Sequence, residues 1–352
     1  MRAFVITGPG EYGVQDLPPP TAGPDQVVVD VERAGVCGTD VEFFTGEMAY
    51  LHQGHARFPM RIGHEWCGTV SAVGDGAHPG WLGRRVTGDT MLGCGRCRRC
   101  RNGLQHVCED RFEIGVRGGW PGALAEQVPV PVTALHPLPD TVDLTAGALV
   151  EPGGSALRAV QAARLAPGDR LLVLGPGTIG LLVALFALSA GAEVHTVGVS
   201  APSLEFAVAM GLHGAWTAEH LPGLAFDAVI DCTNAAALPG LAVDIVEPGK
   251  RVVYVGLAAS PSLVDTRTLV LKDVTAVGIL SASPGLAGTI DLYASGSVDP
   301  RPLVCATVSL AEVGEVLAGW RPPDATLAPK ILVDPRSPAA VPPASPPARR
   351  TA

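Results

Sequence analysis

Short apolar runs separated by turns rich in glycine and proline recur along the whole 352-residue chain. Apolar runs of about four to eight residues between such turns predict β-strands. Longer apolar stretches without turn residues predict helices that pack on those strands. We interpret the following as strands: residues 1–6, 26–34, the run that begins at Gly68, 171–174, 193–197, 226–231, 251–255, 274–280 and 330–333.

The middle of the chain alternates strands with helices. Residues 171–174 predict a buried strand, and residues 179–190 are apolar on every side, as expected for a helix buried against a parallel sheet. Further strands, with helical stretches between them, continue to residue 280. This alternation predicts an α/β fold with a doubly wound parallel sheet.

The turn after residues 171–174 has the sequence G-x-G-x-x-G. In the order strand, turn and helix, this motif predicts a dinucleotide site. The first glycine makes the turn, the second lets the backbone approach a pyrophosphate, and the third allows close helix packing. The candidate cofactor-binding residues here are Gly175, Gly177, Thr178, Ile179 and Gly180.

Composition narrows the classes of protein. With 47% hydrophobic and 17% charged residues, the chain predicts a compact globular protein of two domains. The net charge of −9 argues against a nucleic-acid surface. Residues 171–192 carry no charge, but the glycine-rich turn splits them and leaves too short a helix for a bilayer core of ~30 Å.

We therefore expect neither a nucleic-acid nor a membrane partner. The N-terminus shows no secretion signal, so we expect a cytoplasmic protein. In that compartment eight cysteines indicate metal binding or free thiols before disulfides. After residue 334 the sequence consists mostly of Pro, Ala and Ser, which predicts a disordered tail over residues 335–352.

A dense cysteine cluster has the spacing C-x2-C-x2-C-x7-C. Four thiolates at this spacing can close a tetrahedral zinc site with no open position, which is typical of a structural site. Interleaved arginines raise the alternative of a nucleic-acid-binding zinc module. The negative net charge argues against it, and guanidinium groups can instead offset thiolate charge. The predicted ligands are Cys94, Cys97, Cys100 and Cys108.

A second candidate metal site is dispersed along the chain. Cys37 stands in a glycine-flanked loop after residues 26–34, and His64-Glu65 stands before the strand that begins at Gly68. Taken alone, a lone cysteine is usually a small hydrophobe, and His64-Glu65 could be a surface pair. A catalytic zinc, however, takes three Cys, His or carboxylate ligands and keeps one position open.

Together these segments resemble the zinc-containing medium-chain alcohol dehydrogenases. The sequence from Gly63 to Gly74 matches the pattern G-H-E-x2-G-x5-G completely, and Cys37-Gly38-Thr39-Asp40 lies upstream of it. The resemblance covers residues 1–334. It implies a mostly β, GroES-like catalytic domain of residues 1–153 that is completed by residues 290–334. A Rossmann domain of residues 154–289 would lie between these two segments.

The resemblance also implies roles for individual residues. Cys37, His64 and Glu151 would hold a catalytic zinc. Glu65 would lie next to these ligands without binding zinc, or would become a ligand during turnover. Asp40 would fix the imidazole of His64. Thr39 would pass on the alcohol proton. Glu42 occupies the position where many relatives carry a histidine that ends the relay, so it is the candidate terminal base.

The implied activity is hydride transfer between NAD(P) and a secondary alcohol or its ketone. Glu151 as a ligand favours polyols, sugars, cyclitols or amino alcohols. Two zinc ions per chain, one catalytic and one structural, and a homodimer or homotetramer are expected by the same resemblance. Two alternatives are a zinc-free, quinone-reductase-like member and an inactive NAD(P)-binding zinc protein that acts as a redox sensor or scaffold.

The choice between NAD and NADP is predicted from a carboxylate that the sequence lacks. NAD-binding Rossmann domains usually end the second strand with a carboxylate that binds the ribose 2′-OH. That position falls on Gly198, and no Arg or Lys follows between His195 and Trp216. Ser200 and backbone N–H groups would have to hold a 2′-phosphate. We therefore predict that NADP is modestly favoured over NAD.

Overall fold

Two β-sheets dominate the computed structural model, which describes residues 1–323 and 325–338. The strands, in chain order, are β1 (Arg2–Gly8), β2 (Glu11–Asp16), β3 (Gln26–Gly35), β4 (Glu65–Val73), β5 (Arg85–Gly88), β6 (Met91–Leu92), β7 (Phe112–Glu113), β8 (Gln127–Pro131), β9 (Leu135–Pro137), β10 (Arg170–Leu174), β11 (Glu193–Val197), β12 (Gly214–Trp216), β13 (Phe226–Asp231), β14 (Val246–Tyr254), β15 (Thr275–Gly278), β16 (Val304–Ser309) and β17 (Lys330–Asp334).

Helices cover the sheets and connect their strands. The α-helices are α1 (Gly38–Thr45), α2 (Ala49–His52), α3 (Arg98–Arg101), α4 (Leu144–Ala148), α5 (Val150–Ala163), α6 (Thr178–Ser189), α7 (Ala201–Ala209), α8 (Leu238–Ile245), α9 (Thr266–Leu271), α10 (Leu286–Ala294) and α11 (Val313–Leu317). Short 3₁₀ turns occupy Pro79–Trp81, Gln105–Val107, Val132–Ala134, Ala218–His220, Ser283–Gly285, Arg301–Leu303 and Leu310–Glu312. No helix in the described part of the chain is long and apolar enough to cross a membrane.

The first sheet takes strands from both ends of the chain. Its order is β16-β17-β3-β4-β5-β9, with β8 also paired to β3. β17 runs antiparallel to β3, with Leu332 opposite Gly35 and Val333 opposite Ala34. The C-terminal strand therefore lies beside the end of β3, close to Cys37. The mostly β character expected of this part of the fold is confirmed.

The second sheet is parallel and has the order β12-β11-β10-β13-β14-β15. Chain order runs outward in both directions from β10 and β13, which is the doubly wound arrangement. The crevice where this direction changes lies at the carboxyl ends of β10 and β13. Ligands of open parallel sheets bind at such a crevice. The predicted Rossmann fold is confirmed.

Helix α5 packs unusually closely on the segment that precedes and forms α10. A Cβ on Gly154 would lie 2.8 Å from the Cβ of Ala282, and one on Gly285 would collide with the carbonyl oxygen of Gly154. The hydroxyl of Tyr293 donates to the carbonyl of Leu149 at 3.3 Å. These contacts fix the first turn of α5, which carries Glu151.

The structure contains strands that the apolar runs did not predict: β2, β5, β6, β7, β9, β12 and β16. Among them, β2 has no buried residue. The predicted tail begins at residue 335, yet Arg336 pairs with Asp30 at 2.7 Å, so the first tail residues lie against the first sheet. Residues 339–352 lie outside the described part of the chain. The domain boundaries at residues 153 and 289 stay a prediction.

Candidate active site

Cys37 is placed by the end of β3 and the start of α1. It is the N-cap residue of α1, and Asp40 stands at the third helical position. The Cys37 N–H donates to Asp40 Oδ2 at 2.9 Å, and the Gly63 N–H donates to Oδ1 of the same carboxylate at 3.2 Å. Asp40 is fully buried. Its carboxylate therefore joins the Cys37 loop to the residue before His64.

His64 and Glu65 lie at the head of β4, next to Cys37. The three side chains offer ligand atoms that all lie within 4.8 Å of one another. His64 is buried, and its Nδ1 has no hydrogen-bond partner among the described residues. A thiol, an imidazole and a carboxylate held this close together in a mostly buried site fit a bound zinc ion.

The surroundings of His64 favour a positive charge. Burial opposes protonation of the ring, but the hydrogen bond and charge of Cys37, with the charges of Asp40 and Glu151, outweigh it and raise the pKa of His64 well above its usual value. Asp40 Oδ1 lies 3.9 Å from Nδ1, which is within ion-pair distance but too long for a hydrogen bond. The hydrogen bonds of this carboxylate go to the two backbone N–H groups.

Glu151 approaches the same site from the first turn of α5. It is buried, and its Oε1 lies 3.3 Å from the Thr90 hydroxyl, which is also 3.3 Å from the carbonyl oxygen of His64. Burial raises the pKa of Glu151 to about 7, and the charge of Glu65 adds to the effect. At the 4.8 Å limit the structure groups Glu65, not Glu151, with Cys37 and His64. The ligand role of Glu151 stays a prediction.

Glu65 forms a buried ion pair that the sequence analysis missed. Lys330 Nζ donates to Glu65 Oε2 and, at 2.8 Å, to the carbonyl oxygen of Val36. Both side chains are only 2% exposed. A side chain at Gly35 would collide with the Glu65 carboxylate, so this glycine leaves room for the pair. The available signal was a lysine at the head of an otherwise apolar strand, in a chain with three lysines.

The candidate zinc site and the glycine motif face one cavity of about 360 Å³. Cys37, Gly38 and Glu65 line one wall, and Gly177 and Thr178 line the other. Gly177 is the N-cap of α6 and makes no side-chain cap, so the first N–H groups of the helix are available to a phosphate. A Cβ on Gly180 would collide with the carbonyl oxygen of Gly175, which explains the third glycine.

The four cysteines of the dense cluster also converge. The sulfur atoms of Cys94, Cys97, Cys100 and Cys108 all lie within 4.8 Å of one another. Cys97 caps α3 and accepts from the Cys100 N–H at 3.4 Å, so the helix start sets the spacing of two ligands. The backbone N–H groups of Arg96 and Cys97 lower the pKa of Cys94 to about 6. A thiol that ionises readily suits a metal ligand.

Family comparisons agree with this arrangement. Residues 23–140 match the alcohol dehydrogenase GroES-like domain, and residues 178–295 match the zinc-binding dehydrogenase domain. A 2-dehydro-3-deoxy-L-galactonate 5-dehydrogenase of Pseudoalteromonas atlantica is 30% identical over 309 residues, which cover 85% of this chain and 88% of the relative. The chain belongs to the zinc-dependent medium-chain dehydrogenases/reductases.

Further relatives of the dehydrogenase support the same assignment. A sorbitol dehydrogenase of Halalkalibacterium halodurans is 30% identical over 329 residues, which cover 89% of this chain and 94% of the relative. The structure of an alcohol dehydrogenase from Thermus sp. ATN1 is similar with a TM-score of 0.85 and 27% identity, and the match covers 95% of this chain and 99% of that one. The dehydrogenase is therefore a zinc-containing, nicotinamide-dependent oxidoreductase.

The predicted relay residues of the dehydrogenase lie on α1. Thr39 is half-buried and stands two residues after Cys37, while Glu42 follows three residues later. Residues three apart share one side of a helix, so the two side chains are neighbours. Burial raises the pKa of Glu42, and the nearby charge of Glu47 adds to the effect. A carboxylate with a raised pKa is a better proton acceptor.

Gly198 and Ser200 follow the end of β11. A Cβ on Gly198 would lie 2.8 Å from two ring carbons of Pro176, inside the glycine motif. Packing therefore gives an independent reason for glycine at this position. Ser200 is exposed and is the N-cap residue of α7, but its hydroxyl makes no capping hydrogen bond. It is available to a ligand.

Removal of the lysine from the buried ion pair should destabilise the dehydrogenase. In Lys330→Met the Glu65 charge stays buried without a partner, which costs about 3–5 kcal/mol. The double variant Glu65→Gln/Lys330→Met should recover most of that loss. The measurement is the free energy of unfolding in urea.

The matched control is Lys250→Met, because Lys250 pairs with Asp227 at 2.6 Å with its side chain 41% exposed. An exposed pair contributes only about 0–1 kcal/mol. Equal losses in Lys330→Met and Lys250→Met would show that burial of the pair is not what matters.

Proposed function

We propose that the enzyme oxidises a secondary alcohol of the polyol, sugar, cyclitol or amino-alcohol class, or reduces the matching ketone. The observation that carries this proposal is the single cavity lined by Cys37 and by the glycine motif. Relatives named for a sugar acid, for sorbitol and for L-threonine support the substrate class. No observation favours the inactive sensor or scaffold.

The proposed mechanism divides the work among the candidate zinc site, helix α1 and the glycine motif. When bound, zinc supplies a Lewis acid and the nicotinamide supplies a hydride acceptor. Cys37, His64 and Glu151 would hold the ion. Thr39 would accept the proton of the substrate hydroxyl and donate its own to Glu42, from which it reaches solvent. The motif of residues 175–180 would hold the cofactor in the cavity that Cys37 also lines.

Glu65 has a separate proposed role. Its carboxylate lies close enough to Cys37 and His64 to join the ligand set, yet in this structure it is paired with Lys330. We infer that the pair with Lys330 would hold Glu65 outside the ligand set while Cys37, His64 and Glu151 hold the ion. One position of the site then stays open for substrate.

Two zinc ions of different lability are expected per chain. The four-cysteine site is closed, whereas the Cys37-His64-Glu151 site keeps an open position, so a chelator should remove the second ion first. Activity should disappear while the fold, followed by circular dichroism, is retained. Metal analysis that finds one zinc per chain, or activity that survives loss of the labile ion, would contradict this.

The proton relay can be tested once a substrate is known. A panel of polyols and ketones, followed by the change in nicotinamide absorbance, tests the proposed activity itself. With the best substrate, Thr39→Ala should lower kcat by ~100-fold or more, because a positioned relay group contributes about that factor. Thr39→Ser keeps the hydroxyl and should be mild. An alanine variant with normal kcat and full zinc would exclude the relay.

Cofactor preference is expected to favour NADP modestly. Hydrogen bonds to a charged group contribute ~1.5–3 kcal/mol each, and only hydroxyls such as Ser200 and backbone N–H groups are predicted to provide them. The ratio of kcat/KM for the two cofactors measures this preference. A structure described as a zinc-binding dehydrogenase of Sinorhizobium meliloti 1021 is bound to NADP, with 27% identity and a TM-score of 0.85 over 95% of this chain and 99% of that one.

A carboxylate at position 198 should move the preference toward NAD. Because Pro176 crowds that position, the change is best made as Pro176→Ala/Gly198→Asp, with Pro176→Ala alone as the control. A wild-type preference for NAD, or an unchanged ratio in the double variant, would place the choice elsewhere.

We further propose a homodimer, or a homotetramer built from it, in which β15 edges of two chains meet. β15 is the edge strand of the parallel sheet, and three large apolar residues near it are exposed: Leu263, Val270 and Leu271. Exposed edges with apolar neighbours favour pairing with another chain. Leu271→Glu should therefore lower the molar mass measured by light scattering. Leu82→Glu, at an exposed leucine in the turn between β4 and β5, should leave the molar mass unchanged. A monomeric wild type would contradict the proposal.

A further inference from the structure

The cavity between the two walls offers few positive charges to the diphosphate of a dinucleotide. Two basic residues, Lys330 and Arg321, line it. The Lys330 ammonium is already bound to Glu65 and to the carbonyl oxygen of Val36. Gly38, on the same wall, has no side chain, and a Cβ there would meet no atom within 4 Å. Arg321 is the remaining basic residue among the described lining residues.

Arg321 follows α11 and is exposed at the mouth of the cavity. Its Nη1 donates to Cys305 Sγ at 3.4 Å and to the carbonyl oxygen of Ala328 at 3.0 Å, and its Nη2 donates to that of Pro329 at 3.4 Å. Pro329 also lines the cavity. A guanidinium has five N–H donors, so Nε and one Nη2 hydrogen have no partner within residues 1–323 and 325–338. No carboxylate in that part of the chain pairs with Arg321.

We propose that Arg321 binds the diphosphate of the nicotinamide dinucleotide from the wall opposite the glycine motif. The Nε–H and the Nη2–H that have no partner among the described residues form one edge of a planar fork, which suits two oxygens of a phosphate group. The N-terminus of α6 contributes only a partial positive charge from its side of the cavity. This inference rests on the proposed nicotinamide-dependent function and names a residue that neither the motif nor the zinc site contains.

The location of Arg321 favours the diphosphate over the 2′-phosphate as the group that it binds. Gly177 and Thr178 line the cavity together with Arg321, whereas Gly198 and Ser200 are not among the described residues that line it. The diphosphate is common to NAD, NADP and ADP-ribose. The 2′-phosphate belongs to NADP alone. An Arg321 that binds the diphosphate must therefore affect all three ligands to the same extent.

The experiment is calorimetric titration of the zinc-loaded enzyme with NAD, NADP and ADP-ribose. In Arg321→Gln all three dissociation constants should rise by about ten- to hundred-fold, the usual range for one charge-assisted hydrogen-bonding group. Arg321→Lys keeps the positive charge, so its dissociation constants should lie between those of the wild type and those of Arg321→Gln. The matched control is Arg84→Gln, which removes one positive charge from an exposed arginine outside the cavity lining.

Each other outcome overturns the inference in a distinct way. Wild-type affinity in Arg321→Gln removes the residue from the site, and weaker binding of NADP alone assigns it to the 2′-phosphate. A lower melting temperature in both Arg321 variants, with no recovery of binding by lysine, makes the side chain structural. A wild-type enzyme that binds none of the three ligands overturns the proposed function as well.

Discussion

The buried ion pair between Glu65 and Lys330 is the constraint on which the candidate site depends. The two residues are 265 positions apart, and they meet because β17 and β4 are the two neighbours of the end of β3. Desolvation of two charges is costly unless geometry and further hydrogen bonds compensate. The carbonyl oxygen of Val36 supplies such a bond to Lys330. The pair thus joins the Cys37 loop, the His64 segment and the C-terminal strand at one point.

Local patterns explain how much of the fold could be predicted. The strands and helix around Gly175 lie in continuous apolar runs, so their type and order follow from the sequence alone. β2 could not be found in this way, because a strand without buried residues leaves no apolar pattern. The composition of residues 335–338 predicted a disordered tail, yet Arg336 forms an ion pair with Asp30 of β3. Composition alone cannot predict a tertiary contact of this kind.

In the candidate site, too, local features could be predicted from the sequence, whereas contacts between distant segments could not. Spacing alone brings the four cysteines together, because they lie within fifteen consecutive residues, 94–108. Lys330 could not be paired with Glu65 in advance, since that requires the register of β17 on β3. Asp40 was expected to hold the imidazole of His64, and it lies at ion-pair distance from that ring. Its hydrogen bonds to the Cys37 and Gly63 N–H groups could not be predicted, because they depend on how the two segments meet. Glycine at position 198 was interpreted from the sequence as the loss of a carboxylate that would select NAD. The structure adds a second reason, because the Pro176 ring leaves no room for a Cβ there.

The antiparallel contact between β3 and β17 has a consequence for biosynthesis. A chain is made from its N-terminus, and domains generally begin to fold as they emerge from the ribosome. The four-cysteine lobe can close over a short loop as soon as residue 108 is exposed. The Cys37 loop must wait for Lys330, which is made more than two hundred residues later. The four-cysteine cluster can therefore come together early in translation, whereas the pocket around Cys37 reaches its final form only when synthesis is almost complete.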